Sequence, residues 1–255
     1  MTSKLEALWA AKTRRDEWWS SFVTAPLGIA ANYFAVECDW ITPNRITLAS
    51  FLVAVLAAAC IVFGGTANFV AAALLIHLSH VLDCMDGQMA RYRKISSALG
   101  SYADRLTDQV QVTLWFGAAG YAAYLQTLSI EPLLLAFIGV AFYGLRGYAK
   151  YVAVEIGMAG DPDFLTKLAA SRVRPVTAGL GFGLRANLWW LLKEQRKIIE
   201  FDEGVFIFML GAALLLDALT PMLWVFAVSQ LVLGLFRALQ HGLRINANTA
   251  PSIQK

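Results

Sequence analysis

Six apolar stretches, at residues 46–63, 69–91, 98–126, 133–154, 204–219 and 221–244, constrain this chain more than any other feature of its sequence. A helix needs about 20 mainly apolar residues to cross about 30 Å of hydrocarbon. Only structures that satisfy every backbone N–H and C=O internally persist there. The expected fold is therefore all-α, a polytopic integral membrane protein with six transmembrane helices, the fifth of them short. Apolar residues make up 58% of the chain and charged ones 15%, a departure from soluble domains in the same direction. Cys38, Cys60 and Cys84 are too few and too scattered for a disulfide framework. A formal charge of +3 is too small to point to nucleic acid.

If successive helices alternate in direction, the connections at 64–68, at 127–132 and at Thr220 fall on one side, and none contains Lys or Arg. All 21 basic residues then lie on the opposite side or in the helix halves nearest it. The positive-inside rule makes that side cytoplasmic, with both termini there. Residues 1–41 are expected to be an amphipathic and juxtamembrane segment, not a signal peptide, because the first 20 are polar and lack an apolar core. Leu5, Leu8 and Trp9 share a helical face, Lys4, Lys12, Arg14 and Arg15 are basic, and Trp18 and Trp19 suit the headgroup level. That pattern predicts a surface helix. Thr42 and Pro43 supply an N-cap and a first helical residue for the first span. The six-helix domain runs over 42–244, with a tail at 245–255. Its long connection, about 155–203, holds the turn GDPDF at 160–164, a Gly-rich run at 177–187 and the amphipathic LWWLLKEQRK at 188–197.

Four aspartates interrupt this oil. Asp83 and Asp86 lie three apart near the end of the second span, and Asp104 and Asp108 four apart near the start of the third. At those spacings each pair shares a helical face. A short connection makes the two helices antiparallel neighbours, so the faces are expected to meet. An ionised carboxylate facing lipid costs several kcal/mol, on the order of 3, and four of them together repel. One or two hard divalent cations are the natural counter-charge, because Mg²⁺ and Mn²⁺ prefer carboxylate oxygens and bridge substrate phosphates. Gly87 and Gly100 fit a close ligand approach, and Arg91 a bidentate phosphate clamp. Packing glycines and a topology-setting arginine are the plainer alternatives.

From Asp83 to Asp108 the spelling is D-x2-D-G-x2-A-R-x8-G-x3-D-x3-D, with eight fixed positions in 26 residues: Asp83, Asp86, Gly87, Ala90, Arg91, Gly100, Asp104 and Asp108. Average residue usage gives such a match by chance on the order of once in a billion. It resembles the signature of the CDP-alcohol phosphotransferase family, as do the six spans, the N-terminal helix and the TPN opening of the first span. The resemblance implies transfer of a substituted phosphate from a CDP-linked donor, CDP-diacylglycerol favoured, to an alcohol such as inositol phosphate or glycerol phosphate, releasing CMP in phospholipid synthesis. It implies that Asp83, Asp86, Asp104 and Asp108 bind Mg²⁺ or Mn²⁺, as two ions. By the same likeness Asp108 is the general base, Gly87, Ala90, Arg91 and Gly100 hold the nucleotide, and the enzyme is a homodimer among membrane lipids.

Around this signature, Arg146, Lys150, Arg172 and Arg174 are candidates for an acceptor phosphate or for lipid headgroups. A zinc site of His77, His80 and Asp83 is the competing use of Asp83. Arg105 is expected to face the cavity or pair with an acid, and Asp217 to reach water. A soluble CDP-alcohol donor with a lipid or polar acceptor is the alternative reaction. An ion-coupled transporter is the alternative of another class.

Overall fold

The structure, a computed structural model, describes residues 3–12, 17–171 and 183–249, and all their regular structure is helical. Helix α1 (Lys4–Ala10) opens with a reciprocal capping box: Ser3 Oγ accepts from the Glu6 N–H at 3.2 Å, and a Glu6 oxygen accepts from the Ser3 N–H at 2.8 Å. After Trp18 and Trp19 a π-helical turn (Ser20–Thr24) runs into α2 (Ala25–Ala35). Helix α3 (Pro43–Phe63) starts as expected, with Thr42 Oγ1 accepting from the Arg45 N–H at 3.4 Å and Pro43 in the first position. It stops at Gly64 and Gly65, whose φ angles of 68° and 80° suit residues without a Cβ.

Among the described residues, four helices are long and apolar enough to cross a membrane: α3, α4 (Thr66–Tyr92), α6 (Glu131–Gly160) and, within α10 (Leu219–Thr249), the part Leu219–Ile245. By length and composition the chain is an integral membrane protein. Helix α5 (Ala98–Thr127) has 30 residues but is not among the four, its first half carrying Asp104, Arg105, Asp108, Gln109 and Gln111. Helix α9 (Glu203–Leu215) has 13 residues, about 20 Å at 1.5 Å per residue. Between α6 and α9 lie α7 (Phe164–Ser171), α8 (Leu184–Glu194) and a 3₁₀ segment (Gln195–Glu200).

Three boundaries differ from expectation. Helix α6 continues to Gly160, so the long connection begins at the GDPDF turn and not at 155. The turn expected at Thr220 lies at 216–218, and Thr220 is already inside α10. The N-terminal 20 residues are not one surface helix among the described residues: α1 spans seven, and its Leu8 is fully buried against protein. Trp18 and Trp19 turn inward, with ring centroids 5.3 and 4.7 Å from Phe208 of α9, and Trp19 also packs edge-on to His77 of α4.

Small residues set the packing. Ala54, Ala57 and Ala58 of α3 meet Ala72 and Ala73 of α4, and Ala118, Ala119, Ala122 and Ala123 line α5, all in one buried cluster. Such residues let helix backbones approach closely, and polar groups then join them. Ser50 Oγ donates to the Ser79 carbonyl at 2.8 Å and Ser79 Oγ to the Ser50 carbonyl at 3.0 Å, while Trp115 Nε1 donates to the Ala54 carbonyl at 3.0 Å. Helix α2 is stapled to α4 the same way, Asn32 Nδ2 donating to the Met85 carbonyl at 2.9 Å and Gln88 Nε2 to the Ala25 carbonyl at 3.1 Å.

The pairing of α6 with α10 turns on Gly139, where an added Cβ would lie 2.3 Å from Phe226 Cδ1. Phe226 is stacked on Phe116 at 3.6 Å with the rings 9° from parallel, so it has little room to yield. Gly139→Ala is expected to cost about 1–3 kcal/mol through overpacking, read as a lower Tm of the detergent-solubilised protein. An unchanged Tm would show that the aromatic stack slides.

Candidate active site

The end of α4 carries Asp83, Asp86, Gly87, Ala90 and Arg91, and the start of α5 carries Gly100, Asp104 and Asp108. Their connection turns at Lys94 (φ 57°) and is closed by Ser97, whose Oγ accepts from the Gly100 N–H at 3.0 Å. The two helices are not the side-by-side neighbours expected from the short connection. Helix α3 packs against both, and α9 packs against α4. The carboxylates nonetheless meet, across a gap, because the faces expected from their spacing point into it.

One oxygen each from Asp83, Asp104 and Asp108 lies within 4.8 Å of the others. Asp86 stands beside this group, its Oδ2 accepting a hydrogen bond from Thr47 Oγ1 of α3. Two cavities open on the cluster. One, of about 130 Å³, is lined by Asn44, Thr47, Asp86, Gly87, Arg91 and Asp104 among others. The second, of about 460 Å³, shares Asp86, Gly87, Arg91 and Asp104 and adds His80, Asp83, Glu17, Asp202 and Glu203. Ala90 and Gly100 line the smaller one.

Arg91 lies along the wall that both cavities share. Its Nε donates to the Ala11 carbonyl at 2.5 Å, which anchors the guanidinium and turns its two terminal nitrogens over Gly87. An added Cβ at residue 87 would meet Arg91 Nη1 at 3.1 Å, so glycine there lets the guanidinium lie close on the helix without being displaced. Arg93, in the same basic run, has a structural job: it donates to the Ile41 and Val36 carbonyls, each at 2.7 Å, and to the Cys38 carbonyl at 3.1 Å. It thereby satisfies carbonyls left open where α2 ends.

The donor set fits a hard divalent cation. Asp83 Oδ1 and Asp108 Oδ1 are buried with no hydrogen-bond partner, and buried acceptors without donors cost about 1–3 kcal/mol each. Three convergent carboxylate oxygens and few other cations make a metal the economical partner for these atoms.

Several further residues reach the site. Asn44, of the TPN opening, and Thr47 lie in the first two turns of α3, and Glu17, Ser20, Asp202 and Glu203 arrive from segments far along the chain. Thr47, Glu17 and Ser20 carry no sequence signal of their own, and for the adjacent acids at 202 and 203 the signal is their place at the start of a short apolar helix. The set His77, His80 and Asp83 is not assembled: His77 Nδ1 donates to the Ala73 carbonyl at 2.7 Å, and its ring packs on Trp19. Arg105 is exposed and lines neither cavity, but its charge lies within electrostatic reach of Asp104 and Asp108, the second of the two arrangements expected for it. Asp217 is exposed and accepts from Gln126 Nε2 at 2.7 Å. All three cysteines are free thiols.

A third cavity, of about 860 Å³, lies between α6 and α10 and is basic: Arg146, Lys150, Arg237, His241 and Arg244 line it. Arg237, His241 and Arg244 were not foreseen as partners of Arg146 and Lys150. Arg172 and Arg174 fall outside the described residues. Arg146 is held in place, donating to the Glu200 carbonyl and lying 5.0 Å over the Tyr143 ring, and Arg237 is 3.7 Å from a Glu200 oxygen. The lead-in to α9 thus touches both regions, Glu200 at the basic cavity and Asp202 and Glu203 at the acidic one. On the basic cavity's edge, Asp161 accepts from Lys167 Nζ at 2.6 Å. That bond holds its carboxyl below the usual carboxylate value, so the pair persists at neutral pH and is lost only as pH falls through the lowered pKa.

Both the sequence and the fold resemble those of known proteins. The sequence matches the CDP-alcohol phosphatidyltransferase family over residues 40–233. It is 38% identical over 171 residues to the archaetidylinositol phosphate synthase of Aeropyrum pernix, a match covering 63% of this chain and 84% of that one. It is 29% identical over 99 residues to the bifunctional IPC transferase and DIPP synthase of Thermococcus kodakarensis, covering 39% of this chain but only 22% of that relative's length. The crystal structure of Mycobacterium tuberculosis phosphatidylinositol phosphate synthase with CDP-DAG bound has a similar fold, with a TM-score of 0.55 at 19% identity over 91% of this chain and 98% of that one.

Proposed function

This chain belongs to the CDP-alcohol phosphatidyltransferase family, and from that premise we propose that it transfers a substituted phosphate from CDP-diacylglycerol to a phosphorylated polyol, releasing CMP, in phospholipid synthesis. The observation that carries the reading is the meeting of Asp83, Asp104 and Asp108 oxygens within 4.8 Å beside a cavity floored by Gly87 and Arg91. Asp83, Asp86, Asp104 and Asp108 would hold the metal, as two Mg²⁺ or Mn²⁺ ions. Bound there, the ions neutralise the donor pyrophosphate and the leaving CMP, a Lewis-acid role.

The chain's own groups do the rest. The terminal nitrogens of Arg91 donate to a donor phosphate, and Gly87, Ala90 and Gly100 leave space for the nucleotide. Asp108 accepts the proton of the acceptor hydroxyl. That oxygen bonds to the phosphorus carrying the lipid, and the bond from this phosphorus to CMP breaks, the electron pair leaving with CMP. Leu99, Tyr102 and Leu106 are exposed apolar residues on the same helix as Gly100 and Asp104, and they favour a donor with acyl chains over a soluble CDP-alcohol.

An inositol phosphate acceptor is supported by the name of the Aeropyrum relative and by the basic cavity, where Arg146, Lys150 and Arg237 would take its phosphate. Arg172 and Arg174 remain candidates for the same role. We also infer that α3, α4, α5, α6, α9 and α10 all cross the bilayer, with an amphipathic N-terminal segment, the site and both termini on the cytoplasmic side, and that the enzyme is a homodimer. Support comes from the basic residues gathering at the aspartate end of the helices and from the family.

The test is CMP release by the purified protein in detergent with Mg²⁺ or Mn²⁺, CDP-diacylglycerol and a panel of inositol phosphate, glycerol phosphate, inositol and serine. Release that requires inositol phosphate is expected. Release only with a soluble CDP-alcohol and a lipid acceptor would overturn the donor assignment. Lys150→Ala is expected to raise the acceptor KM by about tenfold, the loss of roughly 1.4 kcal/mol of charge-assisted contact, with kcat little changed. An unaltered acceptor KM would place the acceptor elsewhere.

A further inference from the structure

The acidic cavity holds a second constellation, which shares Asp83 with the carboxylate cluster and adds His80 and Glu203, residues the transferase reading does not use. A ring nitrogen of His80, an oxygen of Asp83 and an oxygen of Glu203 lie within 4.8 Å of one another. His80 is 4% exposed, and its two nitrogens are in different situations. Nε2 is 3.3 Å from Ser20 Oγ, whereas Nδ1 is buried with no partner. An imidazole that donates from one nitrogen to a fixed hydroxyl presents a lone pair on the other, the arrangement metal-bound histidines adopt.

The surroundings are built to hold this arrangement. Ser20 opens the π-helical turn, and such turns recur at functional sites. Its N–H donates to Glu17 at 3.0 Å, and the Trp19 N–H donates to the same carboxylate at 2.6 Å. Glu17 in turn sits against α9: a Cβ on Gly204 would fall 2.0 Å from Glu17 Oε1 and 2.7 Å from Ser20 Oγ. Glycine after Glu203 is thus what lets the start of α9 close onto the turn, and that closure delivers Glu203 to His80 and Asp83.

We propose that His80, Asp83 and Glu203 form a further Mn²⁺-binding site of mixed imidazole and carboxylate ligands, joined to the all-carboxylate cluster through Asp83. One imidazole with two carboxylates suits a borderline first-row cation better than Mg²⁺, which favours oxygen and retained water. The cavity of about 460 Å³ that these residues line has room for water in the remaining coordination positions. An ion there would tie α4 to the start of α9 and share Asp83 with the carboxylate cluster. The site is additional to the transferase reading and does not depend on it.

The experiment uses the metal-stripped full chain in detergent, titrated with Mn²⁺ and followed by electron spin-echo envelope modulation. A ¹⁴N modulation from coordinated imidazole is expected in the wild type and in Asp108→Asn, and its loss in His80→Gln. Labelling the wild type with ¹⁵N-histidine should replace the ¹⁴N pattern without any substitution, which covers the case in which His80→Gln fails to fold. Bound Mn²⁺ with no nitrogen modulation at any ratio, or modulation that survives in His80→Gln, would overturn the proposal and leave the transferase reading standing. Absence of any bound Mn²⁺ would sink the proposal, and CMP release would then decide the transferase reading separately.

Discussion

Asp108→Asn is expected to lower metal-dependent CMP release by about 10²- to 10⁴-fold, the range ordinarily lost with a general base, while CMP still binds. The amide keeps the shape of the side chain but cannot take a proton from the acceptor hydroxyl. Asp108 is proposed for this role because it meets Asp83 and Asp104 at the cluster and has one buried oxygen, Oδ1, with no donor. It lines neither of the two cavities that Arg91 shares, so its replacement is expected to leave the proposed nucleotide pocket in place. A folded Asp108→Asn protein with wild-type CMP release would remove Asp108 from the chemistry. Lost CMP binding would make its part that of a ligand to the metal alone.

Chelation should take activity to background, with recovery on adding Mg²⁺ or Mn²⁺. The physical reason lies in the charge at the end of α4 and the start of α5. Asp83, Asp86, Asp104, Asp202 and Glu203 all line the two acidic cavities, with Arg91 as the cation on the shared wall. With no bound ion, these carboxylates repel one another and a donor pyrophosphate alike. The same stripping is expected to lower Tm, because an ion that binds only the folded chain stabilises it by mass action. Activity that survives exhaustive chelation would show that the carboxylates work without metal and would require Arg91 to carry the phosphate charge alone.

The transporter alternative loses its footing with family membership, and a carrier would have no use for Gly87, Arg91 and Gly100 in the nucleotide-binding roles proposed for them. Much of the site was legible in local spelling. The eight signature positions lie in 26 residues, and the side chains of a helix reach their own face by periodicity alone. Arg105 shows the limit of such spelling: adjacency to Asp104 is a 100° turn around the helix, so the residue is exposed and acts on Asp104 and Asp108 from outside the cavities.

By itself, then, the sequence determined the all-helical class, the Thr42–Pro43 start and Gly64–Gly65 stop of α3, the aspartate faces and the family, because each depends on composition or on spacing within one helix. Only the tertiary structure decided what comes from a distance. It turned Trp18 and Trp19 inward onto Phe208 and His77, and it hung Arg91 from Ala11. It separated α4 from α5 while letting their carboxylates meet, and it brought Glu203 to His80 and Arg237 to Arg146. Those contacts join residues dozens of positions apart, and helix packing selects them through close approaches at small residues such as Gly139 and Gly204. No periodicity in one helix encodes which neighbour its small face will meet.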